Sequence, residues 1–186
     1  VRIPASLNGV VGFKPTARRV PLAGAFPLSM TLDSIGPLAR TVADCAITDA
    51  IMAGEEPVVL QPVALAGLRI GVPRGVLFGE TQDEVAEAFE ACIDRIGRTG
   101  ARVADLPIDD LIAEMRAATK RGTIASMEGA EVHADWLTSG ASVPVDPHVT
   151  GPLSRALAVP ASAYIRTIRR RGELAAAMAE RLETVD

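Results

Sequence analysis

One stretch of the chain constrains the fold more than any other. Leu68-Arg69-Ile70-Gly71-Val72-Pro73 has the apolar, β-branched character of a short buried strand closed by proline. Asp83 and Glu84 then open a helix with acidic charge at the end where the helix dipole favours it. Val85, Phe89, Cys92, Ile93 and Ile96 form one apolar stripe at helical spacing, and Gly100 stops it. Ala101–Leu106 reads as a second strand, closed by Pro107. Strand, helix and strand joined by short turns make a βαβ unit over 67–107. A parallel pair with a right-handed crossover follows.

Composition sets the limits around that unit. The 186 residues include one Trp, one Tyr and four Phe, so the core must be built from aliphatic side chains. A formal charge of −4 gives no basic face for nucleic acid. No apolar run reaches the roughly 20 residues of a membrane span, and no basic region followed by an apolar stretch marks a signal peptide. Cys45 and Cys92 are the only cysteines, and both fall in apolar helical patterns. Free thiols in a reducing cytoplasm are therefore expected.

Residues 1–40 carry Gly9, Gly12, Gly24 and Gly36 with Pro4, Pro15, Pro21, Pro27 and Pro37, which mark repeated turns. A short apolar helix fits Ile3–Val10. Thr41-Val42-Ala43-Asp44 reads as a capping box. The helix it starts carries Val42, Cys45, Ala46, Asp49 and Ala50, with Gly54 as C-cap. Glu55–Ala66 reads as a linker. Asp109 to about Leu137 is expected to be mainly helical, broken near Gly122 and Gly129, and Gly140–Pro152 to be a loop. A long helix should run from Ser162 to about Glu183. It would turn Tyr164, Ile168, Leu174, Met178 and Leu182 inward and Arg166, Arg169, Arg170 and Arg171 largely outward.

The opening Val1-Arg2-Ile3-Pro4-Ala5, with Gly9, Gly12, Lys14-Pro15-Thr16 and Arg19, resembles the second half of the motif of the amidase signature family. Gly24–Ser29 and Leu32–Asp44 resemble its next blocks, and Gly67–Pro73 a later strand. Val185-Asp186 stands where a further strand of the family would begin. The resemblance implies an α/β class: part of an α/β/α fold with a mixed sheet flanked by helices, incomplete at both ends. The chain would be a single partial domain over 1–186. In it 1–54 is the rest of the signature region, 67–107 the βαβ unit and 108–186 mainly helical.

The resemblance further implies hydrolysis of carboxylic amides through an acyl-serine, without metal or cofactor. In the family a lysine base, a bridging serine with a cis peptide and an attacking serine supply the chemistry. All three would precede Val1, so no catalytic residue is assigned in this chain and the chain alone is expected to be inactive. The expected partner is a small-molecule amide, with no nucleic acid and no membrane. An uncovered sheet edge and apolar face would favour aggregation or a homodimer. The alternatives are the A subunit of a tRNA-dependent amidotransferase and a non-catalytic binding module on the same scaffold.

Arg2, two positions past the implied nucleophile, either lines the site or locks the nucleophile turn by bonding carbonyls. Phe26 is a pocket wall or a core aromatic. Asp33 is expected to tie its loop by accepting backbone amides. Lys14, tempting as a base, is expected to form an ion pair or cap a helix. Arg18 stands where family members commonly have Gly, so a positive φ there would carry strain and put the loop shape in doubt. His133, Asp135, Asp146 and His148 can be drawn as a metal site, but their H-x-D and D-x-H spacing lacks the pattern of zinc ligands. Ser126 or Ser154 with a His and an Asp lacks a G-x-S-x-G nucleophile elbow. Met127 and Glu128 read as packing or solvated positions.

Overall fold

The computed structural model describes residues 1–139 and 145–186, and their contacts form two compact units. One comprises Val1–Pro62 with Gly122–Ala158, the other Val63–Arg121 with Val159–Asp186.

The second unit holds the βαβ element. Strand β3 (Arg69–Val72) pairs in parallel with β4 (Arg102–Asp105), Arg69 opposite Arg102 and Val72 opposite Asp105. Helix α3 (Asp83–Gly97) connects them. The strand is less buried than its composition suggests: only Val72 is fully enclosed. Arg69 stays exposed, and its backbone and guanidinium both grip Asp186, at 2.9 and 2.8 Å. Asp186 N–H returns a bond to Arg69 O at 2.9 Å. The apolar stripe of α3 is correct for Phe89, Cys92, Ile93 and Ile96, which are half-buried, and wrong for Val85, which is 56 % exposed. Length explains this. Fifteen helical residues span about 22 Å, four strand residues about 13 Å, so the strand pair is too short to cover the whole helix.

Helix α4 (Asp109–Ala118) packs antiparallel to α8 (Ala161–Leu182). Thr167 Oγ1 donates to Ala118 O at 3.0 Å at one end, and Arg181 reaches Pro107 O at 2.7 Å at the other. Leu174 is buried as expected, while Tyr164, Ile168 and Met178 are half-buried. Leu182 is 45 % exposed, and the small Ala163 and Thr167 are the residues enclosed with Leu174. Small side chains at the contact let the two backbones approach, leaving long ones to flank it. Arg166, Arg169 and Arg171 face water, and Arg170 pairs with Glu114 and Glu173.

In the first unit, α1 (Arg2–Leu7) leads to β1 (Val11–Gly12), which pairs antiparallel with β2 (Leu38–Ala39). Helix α1 does not continue to Val10. Gly9 takes φ 63°, Gly9 N–H bonds Ser6 O and Val10 N–H bonds Ala5 O, which closes the helix as a Schellman turn. The same motif ends α2 (Val42–Met52) at Gly54, as expected, with φ 76° and bonds to Ile51 O and Ala50 O. At its start Thr41 Oγ1 accepts from Asp44 N–H at 3.1 Å. The reciprocal half of the capping box is replaced: the Asp44 carboxylate accepts a hydrogen bond from the Thr41 hydroxyl instead, at 2.7 Å. Cys45, Asp49 and Ala50 are buried, but Val42 is 62 % exposed.

Among the described residues this unit also holds α5 (Ile124–Val132), α6 (Ala134–Thr138) and α7 (Pro147–Ala156). The break at Gly122 is present. The one expected at Gly129 is absent, and the chain turns at His133 instead. A Cβ on Gly129 would lie 2.8 Å from Leu28 Cδ1 and 2.9 Å from Leu153 Cδ2, so the glycine serves close packing. The loop expected over Gly140–Pro152 is helical from Pro147 onward, while 140–144 lie outside the described residues. Asp146 caps the helix by accepting His148 N–H at 2.7 Å, and Pro147 occupies its first position, a start signal mistaken for a turn.

Candidate functional site

The residues singled out from the opening motif all lie in the first unit. Val1 is the residue before α1, and its carbonyl accepts from Ala5 N–H at 3.1 Å. Strand β1 runs against this turn because Gly12 has no side chain. A Cβ there would come 2.5 Å from Ala5 Cβ and 3.0 Å from Val1 O. Gly36 permits a similar approach one layer out, since its Cβ would sit 2.1 Å from Phe13 O. Phe13 N–H completes the contact by bonding Pro37 O at 3.1 Å. Gly12 in turn lines a cavity of about 490 Å³ with Val11, Phe13 and α2 residues. Val1 itself is not part of that lining; Gly12, which packs on it, is.

Arg2 is exposed, and its guanidinium has no partner among the described residues, so it bonds no carbonyl of the turn. Lys14 Nζ donates to Pro15 O at 2.7 Å, in place of the expected ion pair or helix cap. Arg18 adopts φ 68°, alone among described non-glycine residues at positive φ. The turn keeps its left-handed shape and Arg18 bears the strain. Its neighbour Arg19 explains how the turn is held. Nε donates to buried Asp49 at 2.7 Å, and both terminal nitrogens grip Glu55 at 2.7 Å. Those hydrogen bonds hold the Glu55 carboxyl below its ordinary value.

Phe26 is 85 % exposed in this chain. Its ring stacks on His133, centroids 5.3 Å apart and planes 17° from parallel, and Trp136 tilts against the same imidazole at 5.6 Å. Asp33 ties the loop as expected, accepting Leu28 N–H at 2.9 Å. The larger anchor carries no local signal in the sequence, because its partners lie 99 and 97 residues away. Glu128 is 2 % exposed, neither solvated nor simple packing. Its carboxylate accepts Thr31 N–H at 3.0 Å, Thr31 Oγ1 at 2.7 Å and the hydroxyl of Ser29. Ser29 is also 2 % exposed, so its hydroxyl is a brace and not an accessible nucleophile.

The remaining candidates do not converge. His148 is solvated and pairs with Asp146 at 2.9 Å, while His133 is buried beneath Phe26. Ser126 Oγ is engaged with Thr123 at the start of α5. Among the described residues no three His, Cys, Asp or Glu side chains are grouped to hold a metal. No described helix is long and apolar enough to cross a membrane.

Comparison with known proteins places this arrangement. The model of the Amidase family matches residues 1–186. An indoleacetamide hydrolase of Agrobacterium vitis is 40 % identical over 114 residues, covering 60 % of this chain and 24 % of that protein. The glutamyl-tRNA(Gln) amidotransferase A subunit of a Roseiflexus species is 39 % identical over 121 residues, covering 58 % of this chain and 25 % of its own. The chain therefore spans about a quarter of the curated relatives it matches. A crystal structure of an amidase superposes with a TM-score of 0.87 at 33 % identity, over 100 % of this chain and 41 % of the other.

Proposed function

The chain belongs to the Amidase family, and on that premise we propose that its parent protein hydrolyses carboxylic amides through an acyl-serine. The observation that carries this is the family match across all of residues 1–186, opening on Val1-Arg2-Ile3-Pro4-Ala5. In this reading the attacking serine immediately precedes Val1, and the lysine base and bridging serine lie further upstream. A serine hydroxyl needs such a base within hydrogen-bond reach to attack an amide. No metal or cofactor takes part. The 186 residues supply the downstream support: the Val1 turn, the Gly12 approach that fixes it, Arg2 beside it and Phe26 as a wall. The likeness in fold to a solved amidase supports the scaffold. Cys45 and Cys92, both free thiols, fit a reducing cytoplasm.

The test is to express the complete reading frame and treat it with a fluorophosphonate probe, with ammonia release from simple amides read in parallel. We expect labelling of the serine before Val1 and none of the isolated 186-residue chain. An unlabelled parent that releases no ammonia would overturn the reading. The similarity to an amidotransferase A subunit supports a second one. Amide hydrolysis by the purified parent without partner subunits would decide for a stand-alone amidase.

A further inference from the structure

We draw no further inference here: the strongest candidate, the largely apolar cavity of about 490 Å³ that β1 and α2 line with Cys45 and the buried Asp49, is open to one side, and nothing in the structure shows what covers it in a chain that spans about a quarter of the curated relatives it matches.

Discussion

Arg18 sits at φ 68° with its side chain in water. A non-glycine residue in that region carries roughly 1–2 kcal/mol of strain, while glycine adds about 0.4–1 kcal/mol of unfolded-state freedom. The strain outweighs that freedom, so Arg18→Gly should stabilise the protein by about 0.5–1 kcal/mol. Arg18→Val should destabilise it, because a β-branched side chain fits positive φ worst. Urea midpoints at constant slope would measure both. The ion pairs of the second unit give a pH signature. Hydrogen bonds from Arg181 hold the Asp110 carboxyl at about 2, below its ordinary 3.8. Those from Arg69 hold Asp186 at about 2 as well. A folded-state value below the unfolded one stabilises the native state above the unfolded pKa. That contribution drains away as pH falls from about 4 towards 2. Asp110→Asn should therefore show a shallower loss of stability across that window than wild type, read from denaturant midpoints at each pH.

Elements show where local pattern suffices and where it does not. Gly54 was legible as a C-cap because a polar helix start stood well before it, at Thr41. Gly9 performs the same closure after only six helical residues, where α1 offers little periodicity to end. At Gly129 the opposite holds. In a sequence a glycine signals a break, yet here it is dictated by Leu28 and Leu153, neighbours supplied by other elements. Gly129→Ala gains about 1 kcal/mol of helix propensity but places a methyl under 3 Å from two leucine methyls. Leu153 is 5 % exposed and has little room to yield. Overpacking of this kind costs about 1–3 kcal/mol, so the substitution should be net destabilising, seen as a lowered Tm. An isolated cap behaves additively: Thr41→Ala should cost about 1 kcal/mol with no effect on chemistry. Glu128 lay beyond any local reading, since its partners Ser29 and Thr31 are 99 and 97 residues away.

At the scale of the molecule, the chain passes between its two units three times, after Pro62, Arg121 and Ala158. The second of these follows Thr119 and Lys120, both bonded back to the last turn of α4, and the third follows Ala158, bonded to Arg155 O. The first is different. From Glu56 to Ala66 no N–H donates to a backbone carbonyl among the described residues. Val58, Val59, Leu60 and Val63 are 71, 85, 50 and 74 % exposed. The segment was legible as a linker from its two prolines and its lack of periodicity. Its energetics follow from the same facts, because a stretch with few backbone bonds and little buried surface opens at small free-energy cost. A protease that cuts before large apolar residues should therefore attack it first. Thermolysin applied to the 186-residue chain under native conditions should give an initial nick between 57 and 66, identified by mass. The far-ultraviolet signal should survive that nick, since the four residues of β3 and the eleven of α2 lie on opposite sides of the cut and neither is severed. A first cut inside α3 or α8 would instead mean that the helical layer of the second unit opens more readily than the connector, and the division into two separately packed units would not describe the molecule.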